Sequence, residues 1–86
     1  MTYAFYVLKS HSTGKLYKGH TSDLTTRVHQ HNSGRTRSTK SGAPWELIYV
    51  EEFQTRDEAL QREKQSKTGS GGRALHKLLK SKGLLE

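Results

Sequence analysis

The side chains able to do acid–base or anion chemistry are spaced so that a few of them meet. Arg27 and His31 lie one helical turn apart in an amphipathic stretch that starts near Thr21 and ends at Gly34. Leu24, Val28 and His31 fall at i, i+4 and i+7, so the arginine and the histidine flank an apolar stripe instead of facing open water. Immediately before them stands Tyr17-Lys18-Gly19, and an earlier aromatic run holds Tyr6. Further on, Glu63 follows Ala59 and Leu60 at helical spacing, on the face those residues turn inward. A guanidinium can grip a phosphate through paired hydrogen bonds. A phenol or an imidazole can carry a proton if its pKa lies near the working pH. A carboxylate turned inward is costly to desolvate unless a cation meets it. That cation is either a side chain, with Arg27 as the candidate, or a divalent metal ion, and the residues leave both open.

The elements that must position these groups read clearly. Tyr3 to Lys9 is aromatic and β-branched, as suits a strand buried on both faces, with Ala4, Tyr6 and Leu8 on one side and Tyr3, Phe5 and Val7 on the other. Ser10 to Gly14 is a hairpin turn, and a second strand over about 15–19 points Tyr17 away from Leu16 and Lys18, making Tyr6 and Tyr17 cross-strand neighbours. A helix over 22–34, capped at Thr21 or Ser22, follows. Residues 35–42 are polar, basic and without periodicity, which predicts a mobile loop whose Arg35, Arg37 and Lys40 could follow a phosphate backbone. After Pro44, a third strand over 45–53 places Leu47, Tyr49 and Phe53 on one side and Ile48 and Val50 on the other. Thr55 and Glu58 form a capping box for a helix over 56–67. Thr68 to Gly72 reads as a flexible break, and Leu75, Leu78 and Leu79 give a last helix over 73–82, stopped by Gly83. The expected fold is α/β (α+β): a three-stranded, mainly antiparallel sheet flanked by helices.

Composition narrows the partners. Fifteen Lys and Arg against eight Asp and Glu give a net charge of +7 on 86 residues, which points to a polyanion, nucleic acid first. The same charge is also compatible with simple solubility. The length allows one domain over 1–86, and with hydrophobic residues at 30% its core must be thin. Cysteine is absent, which rules out disulfides and Cys-based zinc sites. His29 and His31 point to different helix faces and cannot easily share an ion. There is no Gly-x-Ser-x-Gly elbow and no phosphate-cradling glycine loop. No apolar run reaches transmembrane length and no secretory leader is visible, so a cytoplasmic protein without membrane contact is expected. The oligomeric state is not legible.

Phe5-Tyr6-Val7, followed about ten residues later by Tyr17-Lys18-Gly19 and then by Arg27 and His31, resembles the GIY-YIG nuclease domain. Glu58-Ala59-Leu60-Gln61-Arg62-Glu63-Lys64-Gln65 is similar to the second helix of its small single-domain bacterial members. The likeness runs from Tyr3 to about Lys67, with two departures: the first motif keeps only its tyrosine, and Lys18 replaces an apolar residue. The resemblance implies a DNA endonuclease dependent on Mg²⁺ (or Mn²⁺), with a place in DNA repair or recombination. It implies Glu63 as metal ligand, Arg27 as phosphate contact, and Tyr6, Tyr17 or His31 as general base. Lys18 and His20 join Arg35, Arg37 and Lys40 as expected nucleic-acid contacts. Two rivals stand beside that expectation: a catalytically silent, basic nucleic-acid-binding module, and a protein-interaction domain whose charge is incidental.

Overall fold

A computed structural model describes residues 2–85. Three antiparallel strands, β1 (Tyr3–Ser10), β2 (Leu16–Thr21) and β3 (Trp45–Phe53), form one sheet in the order β2-β1-β3. Helix α1 (Leu24–Asn32) follows β2, and α2 (Arg56–Ser66) and α3 (Gly69–Ser81) follow β3. The expected fold class holds. Within the described residues, no helix is long and apolar enough to cross a membrane.

As the central strand, β1 has neighbours on both edges, and its alternation sorts two cores onto the two faces. Phe5 and Val7 pack with Leu75 and Leu79 of α3 on one face, joined by Leu16, Ile48, Tyr49 and Phe53. Tyr6 and Leu8 pack with Trp45 on the other, joined by Tyr17 and by Leu24 and Val28 of α1. Each large apolar side chain removed from water in this way contributes about 1.5–3 kcal/mol.

Five local expectations need correction. The second strand does not stop at Gly19 but continues through His20 and Thr21, which pair with Phe5 and Ala4. Consequently α1 is capped neither by Thr21 nor by Ser22. Asp23 is the cap, its carboxylate accepting from the Thr26 backbone N–H at 3.2 Å, and Gly34 lies just beyond the helix with φ +80°. In β3 the simple alternation fails at Ile48. Val7 pairs with Tyr49 and Leu8 with Leu47, so Ile48 is the extra residue of a bulge, and both Ile48 and Tyr49 reach the same core while Leu47 is exposed. The basic 35–42 segment is not a plain loop, because Arg37–Gly42 forms a 3-10 helix around a buried Thr39.

The glycine-rich stretch 68–72 is the largest departure. It is the first turn of α3, capped by the Thr68 hydroxyl, which accepts from the Gly71 backbone N–H at 3.0 Å. Gly71 is buried against the Gln65 carbonyl at the end of α2, so close that any Cβ would collide with backbone. Here glycine allows two helices to meet; it does not loosen the chain. The Thr55–Glu58 capping box on α2 and the stop at Gly83 (φ +74°) match the sequence reading.

Candidate active site

Tyr6 stands directly opposite Gly19 in the β1–β2 ladder, and its hydroxyl lies against that backbone. A Cβ at Gly19 would come within 2.7 Å of the Tyr6 hydroxyl oxygen and 3.2 Å of the Tyr17 ring. The glycine of Tyr17-Lys18-Gly19 is therefore the space into which the first tyrosine fits. Tyr17, two residues back on the same face, lies diagonal to Tyr6 with ring centroids 6.2 Å apart. Helix α1 lowers His31 onto the pair, at 5.9 Å from the Tyr6 ring and 4.7 Å from the Tyr17 ring.

One assignment of the His31 tautomer satisfies every hydrogen bond around the ring. In it the Thr39 hydroxyl donates its one proton to the Thr36 carbonyl at 3.2 Å and accepts from His31 Nδ1, 2.7 Å away. Nδ1 therefore carries the proton, and Nε2 accepts from the Tyr6 hydroxyl at 2.9 Å. Burial, and then the positive charge of Arg27, lower the His31 pKa and keep the ring neutral. Burial also pushes the Tyr6 phenol up to about 12, against the pull of the neighbouring Arg27 guanidinium. Arg27 in turn is held firmly charged, with the Tyr6 contact first among the causes, and its Nη1 donates to Gln30 at 3.1 Å. Tyr6 and His31 are almost completely buried, whereas Tyr17 and Arg27 are half-buried and within reach of solvent.

Glu63 does not pair with Arg27. Its carboxylate accepts from His20 Nδ1 at 2.7 Å and from Lys67 Nζ at 2.8 Å. Burial pushes the Glu63 carboxyl up, but the hydrogen bonds from Lys67 and then His20 outweigh it and leave the pKa below the ordinary carboxylate value. The group is thus ionised and 18% exposed, with an exposed lysine on one oxygen. Among the described residues no three His, Cys, Asp or Glu side chains are grouped to hold a metal. A divalent cation fits in one way: one carboxylate ligand, with water and phosphate oxygens completing the shell, as Mg²⁺ commonly accepts. Lys67 is the partner that can swing aside.

The remaining expected contacts separate. Lys18 turns to the end of α2, where Nζ donates to the Ser66 carbonyl at 3.2 Å. Arg35, Arg37 and Lys40 are exposed along the segment that carries Thr39. Sequence reasoning missed Thr39, one hydroxyl in a Ser/Thr-rich run with no distinguishing signal. It missed Lys67 too, although the Glu63–Lys67 spacing of four is a recognisable helix pair.

This arrangement has known relatives. The GIY-YIG catalytic domain matches residues 2–72. The chain belongs to the GIY-YIG family. A UPF0213 protein of Bacillus pumilus is 48% identical over 65 residues, which cover 74% of this chain and 65% of the relative's length, just under two thirds of it. A UPF0213 protein of Staphylococcus aureus is 42% identical over 64 residues, 73% of this chain and 77% of the relative. The solution NMR structure of a UPF0213 protein from Bacillus halodurans superposes with a TM-score of 0.55 at 27% identity, covering 91% of this chain and 85% of that one. Membership in this family supports nuclease activity in general, with nucleic acid as the substrate class.

Proposed function

We propose that the chain is a divalent-metal-dependent endonuclease that hydrolyses phosphodiester bonds in DNA. The observation that carries the reading is the packing of Tyr6, Tyr17 and His31 around Gly19 with the Arg27 guanidinium beside them. A base must reach the proton it removes. Tyr6 is buried with a pKa of about 12, and His31 has both nitrogens engaged, so neither meets water directly. Tyr17, the half-buried phenol, is the one solvent can reach, and we assign it the attacking water. Tyr6, His31 and Thr39 form the buried prop that holds Tyr17 and Arg27 in place. Arg27 contacts the non-bridging phosphate oxygens. Glu63 holds Mg²⁺ or Mn²⁺, which when bound supplies charge stabilisation and help for the leaving oxygen. Arg35, Arg37 and Lys40 follow the strand away from the cut. A role in DNA repair or recombination and a cytoplasmic location accord with this reading.

The occupied Glu63 carboxylate favours a second reading, a nucleic-acid-binding module in which Glu63 is only an ion-pair partner. A nicking assay over DNA and RNA structures with Mg²⁺ and Mn²⁺ separates the two. Tyr17→Phe is expected to lower cleavage by roughly a hundredfold or more, the scale of a lost general base, and to melt like wild type. Glu63→Gln is expected to abolish cleavage, keep DNA binding, and lose any thermal stabilisation that Mg²⁺ gives the wild type. A Glu63→Gln protein that still cleaves rejects the metal assignment.

A further inference from the structure

Arg56 is poorly explained by the stability of its own helix. It is the first residue of α2 after the Thr55 cap, where the helix dipole disfavours a cation and favours Asp57 and Glu58. Its guanidinium carbon lies 5.4 Å from the centre of the Tyr3 ring, a cation–π contact that ties it to the start of β1. So held, Arg56 lines a cleft of about 360 Å³ that Arg27 and His20 also line. Among the other described walls Asp23 is the one carboxylate, and it stays charged, its pKa lowered by the hydrogen bonds from Thr26. Thr26 and Gln30 are neutral, and both oxygens of Asp23 already accept from Thr26, from its backbone N–H at 3.2 Å and its hydroxyl at 2.8 Å. No Phe, Tyr or Trp ring is among the described lining residues, which leaves only the His20 ring and the guanidiniums as surfaces on which a base could stack. A sugar and its phosphate would find two guanidiniums and neutral hydrogen-bonding groups against the single carboxylate of Asp23. The volume is at the small end of ligand-sized clefts, about 300–1,000 Å³, which suits one nucleotide unit and not a length of strand.

We propose that this cleft seats the sugar and phosphate of the nucleotide next to the scissile phosphate, with Arg56 as the second phosphate contact and Arg27 as the wall shared by both positions. The place beside a scissile phosphate rests on the nuclease reading; the phosphate contact does not. Neither Arg56 nor the cleft figured in the sequence reading, because an arginine in the first turn of a helix looks like ordinary surface.

The test is binding in EDTA, where nothing is cut, to a DNA oligonucleotide series carrying one uncharged methylphosphonate at a time. In the wild-type protein, the phosphate gripped by Arg56 is expected to show a severalfold loss of affinity when neutralised. That penalty is expected to vanish in Arg56→Ala and to persist in Arg56→Lys, which keeps the charge. The slope of log K against log salt should become shallower in Arg56→Ala by about 0.9 on duplex or about 0.7 on a single strand. In the cleavage assay the loss should fall on KM more than on kcat. Tyr3→Phe keeps the ring beneath the guanidinium and should rescue what Tyr3→Ala loses. An unchanged salt slope, or the same methylphosphonate penalties with and without Arg56, overturns the proposal even if the protein cleaves. If the phosphate contact is found but nothing is ever cut, the nuclease reading fails and Arg56 remains a binding residue. A large drop in melting temperature for Arg56→Ala with normal binding would make the residue structural and overturn the proposal as well.

Discussion

The two faces of β1 are built from alternate residues of one strand, yet they are held together differently. Phe5 and Val7 meet Leu75 and Leu79 in an apolar core with no direction of its own. Tyr6 and Leu8 meet Tyr17, Trp45 and α1, and beside them Tyr6, His31, Thr39 and Thr36 form a chain of hydrogen bonds that one order of donors satisfies throughout. The first face supplies stability through area. The second uses part of its burial on polar groups that are stable only while every partner is present. A domain this small can keep such a network on one face because the other face is plain.

The comparison can be broken most severely on the apolar side. Leu79 is fully buried, and Leu79→Ala should cost about 2–5 kcal/mol through lost transfer energy and a cavity. Denaturant titration reads this directly, and a cost under about 1 kcal/mol would mean that α3 is not part of the core. On the polar side, Tyr6→Phe keeps the ring but leaves His31 Nε2 buried without a donor, a cost of about 1–3 kcal/mol. Tyr17→Phe should cost nothing comparable. Equal stability of the Tyr6→Phe and wild-type proteins would show that the hydrogen-bonded chain contributes nothing to folding. The smallest effect is in pH. His31 is neutral in the fold because its pKa is lowered from 6.5, while in the unfolded chain it takes a proton as the pH falls through about 6.5. Between 6.5 and the lower folded pKa the unfolded state binds more protons, so stability falls on acidification, by at most about 1.4 kcal/mol per pH unit. The lowered carboxyls of Glu63 and Glu51 begin to lose their contribution only near and below 4.5. Melts from about pH 7.5 to 5.5, beside His31→Gln, read the histidine term; a flat wild-type profile would overturn the neutral assignment.

Much of this was visible in the sequence, for identifiable reasons. The alternation of Tyr3 to Lys9 needed no tertiary information, since a central strand buried on both faces announces itself by composition. The Thr55–Glu58 box is likewise a local hydrogen-bond pattern. Glu63 could be placed on an inward face by spacing alone, and Lys67 beside it by the spacing of four, but not its other partner, because His20 comes from another element. Thr21, Ser22 and Asp23 are all good caps, and only the length of β2 decides among them. The glycines after Thr68 looked like a break because propensity counts entropy and not the nearness of the Gln65 carbonyl. The Ile48 bulge left no mark, since every residue around it suits a strand.

Trp45 is the chain's only tryptophan, and its surroundings make it an optical probe placed behind the site. Its indole N–H donates to the Thr39 carbonyl at 2.7 Å, within the segment that carries Arg37 and Lys40, and its ring meets Tyr17 edge-on at 6.3 Å. Asn32, at the end of α1, grips its backbone on both sides, accepting from the N–H and donating to the carbonyl. Emission from this one indole therefore reports on the basic segment, the half-buried Tyr17 phenol and the end of α1 together, so a titration with nucleic acid can be followed in unlabelled protein.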